Sequence, residues 1–283
     1  MLELTKENYA SNHDYLSYSR ISRFLKCEAA AVAVGFKEPD TPSKLVGSYV
    51  DAYFSDELDD FKEKHPEIFN SKTGELKADF KKANNLIERI ESDEEFMKLL
   101  SGEKQFIMTG EIDGQPFKIK MDSYKKDEFI VDLKIMKDFN RVWSDVFGRY
   151  VSFIQGFDYD IEMAIFQEIV FQNTGKRLPC IIAAITKEDP SDIGAFQISQ
   201  EILDAALKTV KNNLKRIKRI LNGEVAPFRC EKCAYCRSTK KTQIIDSELV
   251  GANGDKLREN GYECTDPKVK IIKEEENALE ESI

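Results

Sequence analysis

Two charged side chains stand two residues apart in an otherwise apolar segment of this chain. Asp132 and Lys134 lie within residues 129–136, where apolar residues recur at every second position. Such alternation, in a run rich in β-branched and aromatic residues, is typical of a β-strand. Alternate side chains of a strand share one face, and at roughly 3.3 Å per residue these two are about 7 Å apart along the backbone. A carboxylate and an amine are therefore predicted to serve one site.

A second carboxylate, Asp122, precedes this pair by ten residues. Polar and apolar residues alternate around it, which places Asp122 on the polar face of another strand. The dipeptide Asp113-Gly114, upstream, is a strong signal for a tight β-hairpin. We therefore expect Asp122 to meet Asp132 in an antiparallel meander. Its three strands are predicted at 105–112, 116–124 and 128–136.

These residue types suit the hydrolysis of a phosphodiester. That reaction needs a nucleophilic hydroxide and neutralisation of the developing charge, and a divalent cation held by carboxylates provides both. Mg²⁺, or Mn²⁺ in its place, needs only one or two carboxylates beside a substrate phosphate, so Asp122 and Asp132 suffice. The backbone carbonyl of Leu133 is a further candidate ligand, and the ammonium of Lys134 can orient the attacking water. The alternative is an exposed acid and lysine on a strand, with no catalytic role.

The composition indicates a globular protein. The chain has 283 residues, of which 41% are hydrophobic, and this is enough for a proper core. No segment approaches the roughly 18 apolar residues of a membrane span, and the N-terminus lacks the layout of a signal peptide. We expect a cytoplasmic protein without membrane contact. With only His13 and His65 in the chain, serine or cysteine hydrolase chemistry is disfavoured.

The net charge of −9 conceals a basic segment. Residues 207–241 carry eleven Lys or Arg against two Glu, so this segment is +9 and the remainder is −18. A basic amphipathic helix that overlaps the start of this segment is predicted for Gln200–Leu221. Its cationic side chains are candidates for contact with nucleic-acid phosphates, and a merely solvated helix face is the alternative. They are Lys208, Lys211, Lys215, Arg216, Lys218 and Arg219.

Helical and strand patterns surround the meander. Helices are predicted over Tyr18–Val34, Leu45–Phe54, Lys77–Leu100 and Phe157–Phe171, and strands over Pro179–Thr186 and Gly194–Ile198. Residues 138–156 are aromatic and polar without clean periodicity, which suits a flexible or partly helical connection. From residue 251 the chain is predicted to be a peripheral or flexible tail.

Five segments of the sequence together resemble a known family. The helical start at 17–28, the Gly47–Asp51 segment, Asp122, the triplet 132–134 and the helix at 159–166 together resemble the PD-(D/E)XK nucleases of the RecE (exodeoxyribonuclease VIII) and RecB-nuclease type. The resemblance covers residues 15–241. It implies a mixed α/β fold with a restriction-endonuclease-like core, in which helices flank a central mixed β-sheet. It also implies a bacterial or phage-encoded, metal-dependent exonuclease that processes duplex DNA ends with a strand-annealing partner, in some relatives as an oligomer.

The resemblance extends to further site residues, with departures. Where many such enzymes place a metal-binding histidine, this chain has Asp51, a different hard ligand. Where the family often has Gln and Tyr on the helix after the lysine, this chain has Glu162 and Phe166. We expect Glu162 to face the site. Glu111 is a further acidic candidate, expected to pair near Pro116 across the hairpin.

The cysteines indicate a second centre. Cys230, Cys233 and Cys236 have a spacing at which three thiolates can wrap one metal centre. Zinc sites and iron–sulfur clusters normally take four protein ligands. Cys27 is the candidate for the fourth, since some nucleases of the resembled group join one cysteine before the nuclease core to three after it. We expect a [4Fe–4S] cluster or Zn²⁺, and the alternative is a set of reduced cysteines without metal.

One nuclease domain is predicted over residues 1–250. It comprises a helical entry region (1–103), a sheet core (104–222) and a cysteine segment (223–250), and the tail follows at 251–283. The competing functions are a catalytically weak DNA-binding module with a vestigial nuclease fold, and a zinc-stabilised interaction module of a recombination assembly.

Overall fold

The structure is a computed structural model that describes residues 4–33, 36, 41–144, 146–242, 244 and 246–249. The predicted tail at 251–283 lies outside these residues. The chain divides into two compact units. Unit 1 is drawn from Met1–Tyr15, Pro39–Val142 and Val151–Leu207. Unit 2 is drawn from Leu16–Glu38, Trp143–Tyr150 and Lys208–Ile283. The domain boundaries expected from the sequence stay a prediction.

Helices occupy much of the first hundred residues and follow the strands later in the chain. In order they are α1 (Lys6–Tyr9), α2 (Tyr18–Lys26), α3 (Glu28–Val32), α4 (Pro42–Phe54), α5 (Leu58–Lys64), α6 (Ala78–Glu91), α7 (Glu94–Leu99), α8 (Phe153–Gly156), α9 (Tyr159–Thr174), α10 (Gln200–Leu221) and α11 (Ala234–Ser238), with 3₁₀ turns at Pro66–Ile68 and Ser247–Leu249. Within the described residues, none of the helices has the length and apolar character that a membrane span needs.

The strands are β1 (Glu103–Ile112), β2 (Gln115–Lys125), β3 (Phe129–Met136), β4 (Val142–Ser144), β5 (Arg149–Val151), β6 (Cys180–Thr186) and β7 (Ile193–Gln197). Five of them form one mixed sheet, in the order β1-β2-β3-β6-β7, and β4 and β5 form a separate two-stranded sheet. The predicted meander is confirmed, because β1, β2 and β3 pair antiparallel. Strand β6 then pairs parallel to β3, which requires a crossover connection, and α9 lies within it. The mixed α/β fold expected from the sequence is confirmed.

Strand β3 is buried on both faces. Val131 and Leu133 pack into a core shared with the apolar residues of α4 and α6. Because side chains alternate, Asp132 and Lys134 point to the opposite face. On that face Lys134 donates a hydrogen bond to Glu162 of α9. The polar pair therefore lies between the sheet and a helix rather than on an open surface.

Strands β2 and β3 pair over only part of their length. Their ladder has three residue pairs, ending at Ser123 with Val131, although the strands have 11 and 8 residues. Beyond this point the Asp122 carboxylate, instead of a strand carbonyl, accepts the N–H of Leu133 at 3.0 Å. The ladder thus ends where Asp122 and Asp132 stand opposite each other, and the backbone there is available to a site.

The single helix predicted for Tyr18–Val34 is wrong, because the chain breaks it at Cys27. This residue has extended backbone (φ −165°, ψ 108°) between α2 and α3. Just after the break, the N–H of Ala29 donates to the carbonyl of Phe228 at 2.9 Å. A contact with a segment about 200 residues away thus overrides a sequence with good local helix propensity.

Two other helix predictions need smaller corrections. The helix expected over Lys77–Leu100 is interrupted before α7, where the carboxylate of Asp93 caps the new helix by accepting the N–H of Phe96 at 2.9 Å. The helix expected from Leu45 begins earlier, since Thr41 caps α4 and a proline occupies its first turn.

Candidate functional site

Strands β2 and β3 and helix α9 bring four of the predicted residues together within unit 1. They are Asp122, Asp132, Lys134 and Glu162. The Nζ of Lys134 lies 2.6 Å from Oδ2 of Asp132 and donates to Oε2 of Glu162 at 2.9 Å. The side chains of Lys134, Asp132 and Glu162 are 20%, 5% and 13% exposed. One ammonium is therefore held between two carboxylates in a largely buried space.

The contact between Lys134 and Asp132 is a buried ion pair, in which Nζ is the close partner of Oδ2 of Asp132. A carboxylate oxygen has more than one lone pair, so Oδ2 can accept a further positive partner beside the ammonium. A buried carboxylate oxygen of this kind is a hard donor that suits a divalent cation.

The carboxylate of Asp122 is fixed from two sides. Its Oδ2 accepts the N–H of Leu133, and its Oδ1 accepts from Nε2 of Gln105 at 3.2 Å. Gln105 in turn donates to Oγ of Ser55 at 2.8 Å. Gln105 has a positive φ of 52° at an irregular point of the β1–β2 ladder, a conformation that costs energy in a residue with a side chain. Gln105 and Ser55 were not predicted from the sequence, because neither residue stands out from its neighbours.

Helix α4 adds Asp51 to this acidic group. Burial, together with the charge of Asp122, raises the pKa of Asp51 to about 7. Burial and the neighbouring acid Asp132 likewise raise the pKa of Asp122 to about 7. For Asp132, burial outweighs the opposing effect of Lys134 and raises the pKa to about 7. Four acidic groups, including Glu162, thus face too little positive charge to ionise easily, a shortage that a divalent cation would correct.

Lys134 is charged in spite of its burial. Removal from water alone would lower its pKa, but the charges of Asp132 and Glu162 outweigh this effect and raise the pKa well above its ordinary value. The ring of Tyr159, one turn before Glu162 on α9, lies with its centroid 4.9 Å from Nζ. A cation over an aromatic face is favourable. Lys134 is therefore a fixed positive charge, and Tyr159 helps to hold it. In the sequence, Tyr159 had appeared only as part of the family resemblance.

Two predicted positions lie away from this group. Glu111 is exposed and pairs with Pro116 near the hairpin, six residues along β2 from Asp122. Six residues of a strand span about 20 Å, so the structure does not bring Glu111 to the site. Phe166, at the position of the family's Tyr, is buried in the core.

The four cysteines Cys27, Cys230, Cys233 and Cys236 meet within unit 2. Their sulfur atoms all lie within 4.8 Å of one another, with 3.6 Å between Cys27 and Cys236. The four are free thiols. The N–H of Cys233 donates to Sγ of Cys230 at 3.3 Å, and that of Cys236 donates to Sγ of Cys233 at 3.4 Å. Four sulfurs at this range form a donor set that fits one metal centre.

The pKa values of the cysteines bear on how this cluster would bind a metal. Burial raises the pKa of Cys230 to about 11 and moves the pKa of Cys236 upward as well. For Cys233, burial is outweighed by donors that include the N–H of Cys236, and its pKa is lowered. Metal binding requires thiolates, so a bound cation would supply the charge that these sulfurs otherwise lack.

A buried ion pair holds the chain segments around the cysteine cluster. Glu28, next to Cys27, accepts from Nε of Arg216 at 2.7 Å, from Nη2 of Arg216 at 2.9 Å and from the N–H of Phe228 at 2.7 Å. The guanidinium of Arg216 also stacks 3.7 Å from the centroid of the Phe228 ring. Glu28 thereby ties the break after α2 to α10 and to the segment that leads into Cys230.

This contact separates Arg216 from the other basic residues of α10. Its side chain is only 28% exposed and is engaged with Glu28. Lys211 is half-buried, whereas the remaining predicted phosphate contacts are exposed. These exposed residues are Lys208, Lys215, Lys218 and Arg219.

Comparison with known proteins gave a family and a close structural relative. Residues 17–239 match the family model described as "PDDEXK-like domain of unknown function (DUF3799)". A crystal structure from Eubacterium rectale, described as "Putative exonuclease", has 43% sequence identity and a TM-score of 0.85, and the match covers 90% of this chain and 100% of the other. No curated protein matches the sequence.

Proposed function

The chain belongs to the family of PDDEXK-like domains designated DUF3799, and on this premise we propose that it is a divalent-metal-dependent nuclease that hydrolyses phosphodiester bonds of DNA. The observation that carries the proposal is the buried group formed by Asp122, Asp132, Lys134 and Glu162 where the β2–β3 ladder ends. Acids that share one lysine and have raised pKa values in such a place are expected of a catalytic site.

The residues suited to hold Mg²⁺ or Mn²⁺ are Asp122 and Asp132, with Asp51 beside them. The buried Oδ2 of Asp132, which has lone-pair capacity beyond its contact with Lys134, supports this assignment. The carbonyl of Leu133 is the backbone candidate, because its N–H points to Asp122 and the two polar groups of a strand residue point to the same side. Hard oxygen donors of this kind are the ligands that both ions prefer.

The side chains divide the chemistry among them. When bound, the cation would lower the pKa of a water and neutralise charge on the phosphate. The ammonium of Lys134 donates hydrogen bonds to the attacking water or to a phosphate oxygen in the transition state. Glu162 and Tyr159 position that ammonium. Gln105 fixes the orientation of Asp122, as outer partners of metal ligands do.

The test uses Lys134→Met and Asp132→Asn, with a matched ion pair on the surface as control. Lys176 and Asp127 form an exposed pair at 3.0 Å, so Lys176→Met and Asp127→Asn remove the same chemical groups away from the site. Cleavage of linear DNA with Mg²⁺ or Mn²⁺ should fall on the order of 10²–10³-fold in the site variants and stay unchanged in the controls.

Equal cleavage by Lys134→Met and the native protein would contradict the catalytic assignment. DNA binding by the native protein with no cleavage in either metal would instead support the catalytically weak DNA-binding module. Thermal unfolding of each variant separates a loss of chemistry from a loss of fold.

The finer proposal is an exonuclease that processes duplex ends for phage-type recombination with a strand-annealing protein. The description of the Eubacterium rectale relative as "Putative exonuclease" supports the exonuclease activity, and the resemblance to RecE-type enzymes supports the role in recombination. Linear, nicked and covalently closed circular duplexes should be compared at equal nucleotide concentration. Digestion confined to DNA with ends is expected, and equally fast cutting of closed circles would contradict an exonuclease.

The exposed cations of α10 are proposed to contact phosphates. Lys215 and Lys218 are exposed on this helix, within the segment of charge +9. Each phosphate contact that is lost should lower the salt dependence of binding by about one unit of slope. The Lys215→Gln and Lys218→Gln variants should therefore bind DNA more weakly than the native protein, and their affinity should fall less steeply as the salt concentration rises. An unchanged slope of log affinity against log salt would favour a merely solvated helix face.

For the cysteine cluster we propose a single tetrahedral ion such as Zn²⁺. Four sulfurs at about 2.3 Å from one ion lie about 3.8 Å apart. The observed separations, 3.6 Å for Cys27 with Cys236 and at most 4.8 Å for the set, agree with one ion. In a four-iron cluster each sulfur binds a different iron, so the sulfurs stand farther apart. Anaerobic purification should give one zinc per chain, and stoichiometric iron with labile sulfide would overturn the assignment.

A further inference from the structure

The connection between β3 and α9 contains an exposed aromatic hairpin, defined by Trp143, Phe147, Arg149 and Tyr150. Trp143, Phe147 and Tyr150 are 56%, 49% and 62% exposed. Large aromatic side chains are seldom left in water in a cluster, because each offers an extended apolar surface. In the part of the chain that the structure describes, they are three of the four aromatic side chains found largely exposed, and Phe157 is the fourth.

The geometry of the hairpin leaves ring faces accessible. Trp143 and Tyr150 come from the two paired strands β4 and β5, and their rings meet edge to face, with centroids 5.5 Å apart and an interplanar angle of 76°. Phe147 lies in the turn, next to Gly148 with its φ of +57°. In an edge-to-face pair the rings cover little of each other, so flat ligands can still stack on them.

The charge around these rings favours an anionic ligand. The guanidinium of exposed Arg149 lies 5.9 Å from the centroid of Phe147, an arrangement in which a cation accompanies an aromatic face. The hairpin also belongs to the same compact unit as the segment 208–241, which carries the charge of +9. Exposed rings interleaved with cations are the pattern by which proteins bind single-stranded nucleic acid without sequence preference.

We propose that the aromatic hairpin binds unpaired nucleotides of the DNA substrate by stacking bases on Trp143, Phe147 and Tyr150, with Arg149 at the phosphates. The choice of DNA as ligand rests on the proposed nuclease function. The hairpin is inserted in the chain between β3, which carries Asp132 and Lys134, and α9, which carries Glu162.

The experiment uses the intrinsic fluorescence of Trp143, which is the single tryptophan of the chain and so reports on the hairpin alone. The full-length protein is titrated with a thymidine oligonucleotide in EDTA, which prevents cleavage. Saturable quenching is expected. A blunt duplex of the same length should quench less, because its bases are already stacked.

Three variants separate stacking from general hydrophobic contact. Tyr150→Ala and Phe147→Leu should each raise the Kd by about 5- to 100-fold, as expected for loss of one stacked base. Tyr150→Phe keeps the ring and should stay within about twofold of the native Kd. Val32→Ala, which trims an exposed apolar side chain outside the hairpin, is the matched control.

Unchanged Kd values for Phe147→Leu and Tyr150→Ala would overturn the proposal, as would the absence of quenching. Emission that changes with protein concentration in the absence of DNA, with a sedimenting mass of two chains, would show that the hairpin covers a second copy and would also overturn it. Cleavage is measured in parallel with Mg²⁺. Cleavage without quenching refutes only the role of the hairpin, whereas the absence of both refutes the nuclease assignment as well.

Discussion

Replacement of Glu28 by alanine should loosen the cysteine cluster without touching a cysteine. Glu28 is 4% exposed, and its carboxylate accepts three hydrogen bonds, two from Arg216 and one from the N–H of Phe228. It follows Cys27 directly, and Phe228 precedes Cys230 by two residues. Removing the carboxylate therefore releases the contacts that hold the two cysteine-bearing segments beside each other.

The size of the effect follows from what the substitution leaves behind. Breaking a buried ion pair by removing one partner costs about 3–5 kcal/mol, since the other charge stays desolvated. Arg216 is 28% exposed and keeps its contact with the Phe228 ring, which reduces this figure. We expect Glu28→Ala to lower the free energy of unfolding by about 2–4 kcal/mol. Glu28→Gln keeps the shape and part of the hydrogen bonding, so it should cost about half as much.

Urea unfolding gives the stability, and the rate of thiol modification by an aromatic disulfide reagent reports on the cluster. Both are measured with metal bound and after chelation. Glu75→Ala is the control, because Glu75 and Lys81 form an exposed pair at 2.8 Å, and an exposed pair contributes little to stability. Combining Glu28→Ala with Arg216→Met should recover part of the loss. The reasoning is refuted if Glu28→Ala unfolds at the native urea midpoint and its cysteines react no faster.

Three other predictions concern unit 1. Asp51, Asp122 and Asp132 have pKa values of about 7, above the value of roughly 3.9 in unfolded chains, so the metal-free protein should lose stability as pH rises from 4 to 7. Mg²⁺ should restore that stability at pH 8 and have little effect at pH 5. An equal difference in melting temperature between Mg²⁺ and EDTA at both pH values would contradict this. Gln105→Ala should weaken metal binding about 10- to 100-fold, because Asp122 loses a fixed partner; calorimetric titration of Mn²⁺ measures it, and an unchanged affinity refutes the positioning role. Asp160 has a buried Oδ1 without a partner in the described residues and a pKa raised by burial to about 6, so Asp160→Asn should stabilise the protein above pH 6 and lose this advantage near pH 4; urea midpoints that are equal at pH 7.5 would show the reasoning to be mistaken.

Local patterns were sufficient for the elements that present the site. Alternation alone placed Asp132 and Lys134 on one face of a strand. In the structure the Nζ of Lys134 lies 2.6 Å from Oδ2 of Asp132. The dipeptide Asp113-Gly114 predicted the hairpin that fixes the register of β1 with β2. The long basic helix was predicted with the bounds that it has, Gln200–Leu221. Each of these features depends on backbone geometry that repeats within a few residues, which the order of side chains reveals.

Other features could not be derived from local order. Tyr18–Val34 has the composition of one helix, yet its break at Cys27 depends on Phe228, about 200 residues later. Arg216 has the same helical periodicity as its exposed neighbours, and only the position of Glu28 shows that it is half-buried and paired. A local pattern describes the face of an element and carries no information about which distant residue will cover it.

The sequence by itself determined which residues could do chemistry and the strands and helix that present them. Only the tertiary structure decided that Asp51 and Gln105 join Asp122, that the β2–β3 ladder ends at the acids, and that four sulfurs from both ends of the described chain meet. The physical reason is that these features depend on burial and on charges brought close in space. Such terms exist only after distant segments have packed, and they set the pKa values and the grouping of oxygen and sulfur donors on which the proposed chemistry depends.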